Sequence, residues 1–115
     1  MLLTIDPAAP EPLFEQLAAQ LRAAVAAGEL RAGDRLAPAR DLAASLDVNL
    51  HTVLRAYQEL RDEGVVELRR GRGATVASTL DDPGLRAAIT ALVTESRRLG
   101  LDPRTTTALV KEALR

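Results

Sequence analysis

The sequence predicts a mainly α fold with one small β-hairpin. It reads as a winged helix-turn-helix over residues 1–78, followed by a two-helix C-terminal hairpin over 79–115. Three observations lead there. Two short helical stripes are separated by about three residues around Asp47-Val48-Asn49, the spacing of a helix-turn-helix. Two extended segments flank Gly71-Arg72-Gly73 directly afterwards, and a hairpin in that place is the layout called a winged helix. Past Ser78, Asp82-Pro83 and Asp102-Pro103 are both cap-then-proline helix starts.

Each element has its own local reason. Three of the six prolines fall in the first twelve residues, so residues 6–12 read as an extended lead-in. Leu13, Leu17, Leu21 and Val25, with Phe14 and Ala18 beside them, form an apolar stripe in four-residue steps, and Gly28 ends that helix. Glu29 to Leu36 is a turn entering a short extended piece. Pro38 then opens a second helix where its missing N–H costs nothing, with Leu42, Ala43 and Leu46 inward. Asp47-Val48 breaks it, and Asn49 caps a third helix with Val53, Tyr57 and Leu60 buried and Gly64 as its stop. Val65–Arg70 and Ala74–Ala77 are the strand-like segments of the wing. In the tail, Leu85, Ile89, Leu92, Val93 and Leu99 stripe one helix, and Leu109, Val110, Ala113 and Leu114 the next. A two-helix pair cannot bury both stripes alone, so a second copy of the chain is the simplest partner. The expected dimer interface is Leu85, Ile89, Leu92, Val93, Leu109 and Val110.

Composition excludes several functions. Among 115 residues there are 21 Ala and 20 Leu but one Phe, one Tyr and no Trp, a stock that suits closely packed helices rather than a sandwich or barrel. No cysteine is present and His51 is the lone histidine, so thiolate chemistry and an ordinary zinc site are excluded, and no metal or cofactor is expected. No apolar run approaches about 18 residues and no signal peptide opens the chain, so a soluble cytoplasmic protein without membrane contact is expected. Catalysis fits poorly: Ser45, Ser78 and Ser96 sit on no nucleophile elbow, and Gly71-Arg72-Gly73 lacks the third glycine of a dinucleotide fingerprint. No enzyme is expected.

Nucleic-acid binding fits better. A net charge of −1 argues against a polyanion binder working by bulk charge, yet 14 of the 15 basic residues are Arg, whose planar fork suits guanine and phosphate; the codon usage of a GC-rich genome, which also yields Ala and Arg, is an equally open cause. The second helix of a helix-turn-helix points its N-terminal side chains into the major groove. With Val53, Tyr57 and Leu60 inward, the helical period turns Leu50, His51, Leu54, Arg55 and Gln58 outward. Arg55 can fork onto guanine; the alternative is a surface ion pair with Glu59 or Asp62. Asn49 and Thr52 can hold phosphate at the helix start, and for Asn49 a plain cap is equally open. Leu50 and Leu54 can meet a thymine methyl, or else pack against the wing or a neighbouring helix; His51 can donate to phosphate. In the wing, Arg69, Arg70 and Arg72 face only Glu67, and Gly71 lets backbone approach a sugar-phosphate rail; the alternative is a merely solvated charged face.

From Leu13 to Val76 these residues resemble the GntR family of bacterial transcription regulators. The matching stretches stand in order: Phe14-Glu15-Gln16-Leu17, Gly28-Glu29-Leu30, Gly33-Asp34-Arg35-Leu36, Arg40-Asp41-Leu42-Ala43, Val48-Asn49, Thr52-Val53, Arg55-Ala56-Tyr57, Glu59-Leu60, Glu63-Gly64, Arg70-Gly71-Arg72-Gly73 and Thr75-Val76. The resemblance implies DNA contacts from Arg40 at the start of the second helix, from Thr52 and Arg55 on the recognition helix, and from Gly71 at the wing tip. Asn49, Arg55-Ala56-Tyr57 and the short helical tail resemble the YtrA subfamily, whose two C-terminal helices dimerise and whose members often repress operons for ABC-type transporters. The MocR subfamily has similar recognition-helix wording but adds a large aminotransferase-like domain, for which these 115 residues have no room. The chain departs from the family at Leu36-Ala37-Pro38, where many relatives carry Leu-Pro-Ser. It also has Asp47 where many have Gly, and Asp tolerates a left-handed turn. Leu50 and Leu54 stand where Arg is frequent in other branches.

The expectation is a homodimeric regulator, a repressor on a palindromic double-stranded DNA operator. Its DNA-binding residues are Arg40, Asn49, Leu50, His51, Thr52, Arg55, Arg70, Gly71 and Arg72. No effector is legible, and about 37 tail residues cannot enclose a drug-sized pocket within one chain. The reading from another class is a winged-helix module that docks a protein partner without specific DNA binding, supported by the net charge and the two outward leucines.

Overall fold

The computed structural model describes residues 2–115. Its elements run α1 (Leu13–Ala26), α2 (Ala39–Leu46), α3 (Leu50–Asp62), β1 (Val66–Arg69), β2 (Gly73–Val76), a 3₁₀ turn at Ser78–Asp81, α4 (Pro83–Arg98) and α5 (Pro103–Ala113). Internal contacts separate two compact units, one up to Leu80 and one from Asp81.

In the first unit, α1, α2 and the hairpin pack around α3, whose Val53, Ala56 and Leu60 are fully buried. Leu17 and Leu21 of α1 and Val66 and Val76 of the hairpin close the same core. Burying each such aliphatic side chain stabilises the fold by about 1.5–3 kcal/mol. Alanine is as important here as leucine: Ala18, Ala24, Ala43, Ala56, Ala74 and Ala77 are all buried, and their small side chains let the elements approach closely. The apolar stripes did not single out most of these, because alanine is indifferent in a hydrophobic pattern.

Four helices end in the same way. After α1, α3 and α4 a glycine takes the left-handed conformation, at Gly28, Gly64 and Gly100, and the next N–H reaches back to the carbonyl five residues earlier. After α2 the same position is Asp47, with φ 54° and ψ 49°, and Val48 N donates to the Ala43 carbonyl at 3.0 Å. This Schellman motif swings the chain from α2 into α3 within three residues. The left-handed Asp47 is thus a chain-reversing device, as its tolerance of that conformation suggested.

The hairpin pairs antiparallel with Val66 opposite Val76 and Leu68 opposite Ala74. The strands are one residue shorter at their outer ends than the extended segments in the sequence, and β2 begins at Gly73. The short extended piece at Arg35 bridges to Thr75 on the free edge of β2, with Leu36 N donating to Ala74 O and Val76 N to Asp34 O. It covers an edge that would otherwise expose unpaired backbone groups.

The lead-in is not extended. Asp6 accepts from Ala8 N at 3.0 Å and its carbonyl from Ala9 N at 3.1 Å, so Asp6-Pro7 nucleates a turn instead. Two glutamines one helical turn apart on α1 then stitch the preceding arm to the helix. Gln16 and Gln20 each both accept from and donate to the arm's backbone, at Asp6 and Thr4 respectively. Backbone too irregular for a sheet is satisfied by side-chain amides.

In the second unit Asp82 accepts from Leu85 N and Asp102 from Arg104 N, capping both helices as expected. Ser96 and Thr106 hydroxyls share a hydrogen bond that ties α4 to α5. No residue of either helix is buried: Leu85, Ile89, Leu92 and Val93 remain 39–46% exposed, and Leu109 59%.

Candidate nucleic-acid interface

The start of α3 is fixed by its cap. The Asn49 side-chain oxygen accepts from His51 N at 2.8 Å, and its carbonyl accepts from Thr52 N at 3.0 Å. That satisfies two of the N–H groups a helix start leaves open. The cap reading of Asn49 therefore holds, while its amide N–H donors have no partner among the described residues.

Burial along α3 agrees with the helical period. His51, Leu54, Arg55 and Gln58 are exposed on the face opposite Val53, Ala56 and Leu60. Leu50 departs from the expectation: it is half-buried rather than fully outward. Thr52 is half-buried too. Leu54, 37% exposed, turns toward the wing. It lines a groove of about 310 Å³ with Leu68, Tyr57, Gln58, Pro38 and Arg70. This groove brings the start of α2, the outer side of α3 and the wing around one depression.

Arg55 forms no ion pair with Glu59 or Asp62. Its guanidinium carbon lies 3.8 Å from the centroid of the Phe14 ring on α1. Asp62 is engaged by Arg61 at 3.2 Å and Glu63 by Arg22 at 2.6 Å. The Arg22 hydrogen bond holds the Glu63 carboxyl below the usual glutamate range, and the same pair raises Arg22 further.

At the wing, Arg70, Gly71 and Arg72 form the three-residue link between strands. Gly71 and Gly73 have φ 77° and 69°, a conformation closed to most side chains. Arg35 donates to the Arg72 carbonyl at 3.1 Å, so the bridging segment also steadies the tip. Glu67 is taken by Arg69 at 2.8 Å. Among the described residues Arg40, Arg55, Arg70 and Arg72 are in no ion pair. Net charge conceals this: three nearby carboxylates are neutralised locally, leaving these four cations without a carboxylate partner. Sequence reasoning missed Phe14 and Arg35 as supports, since both act through contacts far apart in the chain.

Residues 13–76 match the family model described as bacterial regulatory proteins, gntR family. The chain belongs to the GntR family. It is a DNA-binding helix-turn-helix transcription regulator, and its relatives are regulators rather than enzymes. Over 101 residues it is 45% identical to the HTH-type transcriptional regulator Rv1152 of Mycobacterium tuberculosis, covering 86% of this chain and 83% of that protein. It is 31% identical to the HTH-type transcriptional repressor YtrA of Bacillus subtilis, covering 88% and 78%. Among solved structures, YtrA from Sulfolobus acidocaldarius superposes with TM-score 0.65 at 29% identity, covering 96% of this chain and 95% of that one. That structure shares the fold of this chain over nearly its whole length. No helix among the described residues is long and apolar enough to cross a membrane.

Proposed function

We propose that this GntR regulator acts in the cytoplasm as a homodimeric repressor on a palindromic operator. Residues 1–78 bind DNA and 79–115 hold the two copies together. The observation that carries the reading is the set of four arginines without ion pairs, Arg40, Arg55, Arg70 and Arg72, on the elements that surround the α3–wing groove. Arg55 reads a base from the outer face of α3, a contact that discriminates by about 1–3 kcal/mol. His51, Asn49 and Thr52 serve phosphate at the helix start, with Leu50 and Leu54 supplying apolar contact. Arg40, Arg70, Gly71 and Arg72 anchor the backbone.

The half-exposed face of Leu85, Ile89, Leu92 and Val93, with Leu109 and Val110, supports the dimer, because four-residue spacing makes it one continuous stripe. A twofold dimer reads two half-sites related by the same symmetry. The repressor role rests on likeness to the Bacillus YtrA, and a transporter operon is the target class that the YtrA resemblance implies.

Selection of bound duplexes from a random library at about 0.15 M salt tests this. One enriched palindrome is expected. No enrichment from folded, dimeric protein would turn the reading to a protein-docking module.

A further inference from the structure

The geometry points to Phe14 as a positioning residue for Arg55: its ring holds the guanidinium by its face and leaves the N–H edge free to fork onto a base. This rests on the reading of Arg55 as the base-contacting residue. Three observations carry it. The guanidinium carbon stands 3.8 Å from the ring centroid, within stacking contact. Arg55 makes no hydrogen bond and no ion pair among the described residues, so its in-plane donors are uncommitted. Finally, none of the nearby carboxylates captures it. Glu63 is bound by Arg22 and Asp62 by Arg61, while Glu59, one turn beyond Arg55, lies in a groove with Arg22 and Glu15.

A carboxylate partner and an aromatic partner differ in what they consume. A carboxylate takes the same edge that recognises guanine, so it must be displaced before a base is read. An aromatic ring takes only the flat face and leaves that edge available. It also restricts a long side chain that would otherwise lose rotamer freedom on binding, which is preorganisation. Phe14 sits at the second residue of α1, so α1 contributes twice: its ring steadies Arg55 and its Arg22 binds Glu63 and faces Glu59.

The test measures affinity for the selected operator and for a scrambled duplex of equal composition, at one salt concentration, with circular-dichroism melting in parallel. Phe14→Leu keeps apolar bulk and removes the ring. It should weaken operator binding about 2–5-fold and leave the scrambled duplex unchanged. Phe14→Tyr should bind like the parent. In an Arg55→Ala background, Phe14→Leu should cause no further loss. If Phe14→Leu melts early, Phe14→Met, an unbranched filler, is read in the same way. Parent-like operator binding by the ringless variants, or equal loss on both duplexes, would overturn positioning while leaving Arg55 as the reader. Undiminished discrimination in Arg55→Ala would remove the reader itself, and with it the role of Phe14.

Discussion

The Tyr57 hydroxyl donates to the carbonyl of Ala37 at 2.6 Å, joining the middle of α3 to the residue that precedes the α2 cap. Tyr57 is 4% exposed, and burial pushes its hydroxyl up to about 12. The ring belongs to the core and its oxygen to the loop, so one residue sets the spacing between the two helices of the helix-turn-helix.

Tyr57→Phe should therefore cost about 1 kcal/mol in chemical denaturation at neutral pH. The ionisation gives a second signature. The folded-state value is raised above the ordinary 10, so the buried neutral phenol contributes stability that is complete below pH 10 and lost as pH rises to about 12. That decline should total about 3 kcal/mol in the parent and vanish in the phenylalanine variant. An equal alkaline slope in both proteins would show that Tyr57 is not its source.

At the acid end the Arg22–Glu63 pair has the opposite sign. Glu63 is held below its ordinary value, so its contribution is present above about pH 4.5 and lost as pH falls through the folded value. Both side chains are over a third exposed, which limits the pair to about 0.5 kcal/mol. Glu63→Gln should show that small loss at pH 7, and it should shrink in about 1 M salt. A larger, salt-independent loss would mean that Glu63 serves the fold in another way.

Asp47 tests the turn. A β-branched residue at φ 54° is strained, so Asp47→Val should destabilise by about 1–2 kcal/mol, whereas Asp47→Gly should be neutral or slightly stabilising. Thermal melts of the two variants should bracket the parent. Equal melts for both would mean that the turn tolerates another backbone path.

The exposed stripe of α4 makes Leu92→Glu the sharpest probe of assembly. It should give monomers in sedimentation equilibrium with the helix content of the parent retained. A dimer that survives the change would place the interface elsewhere.

Replacing both wing arginines, Arg70→Ala with Arg72→Ala, should weaken binding to all duplexes alike. It should also lower the slope of log affinity against log salt by about one per phosphate contact removed. Loss confined to the operator would instead make the wing a base reader.

Much of this molecule is legible in one dimension because its signals are local. The caps Asn49, Asp82 and Asp102 each act within three residues, and the left-handed stops at Gly28, Asp47, Gly64 and Gly100 close hydrogen bonds within five. The stripe Val53, Tyr57, Leu60 follows from the helical period, which also turns Arg55 outward. Periodicity and capping chemistry therefore determined the order of elements, the turn between α2 and α3, and the outer face of α3. Only the tertiary structure decided what those elements do for one another. It placed Arg55 against Phe14 rather than Glu59, Tyr57 against Ala37, Arg35 against the wing, and the glutamines of α1 against the arm. Most of these pairs lie 16–41 residues apart or join different elements, and a side chain with several partners of similar reach takes the one that packing brings closest. Local chemistry limits the possible partners, and the fold chooses among them.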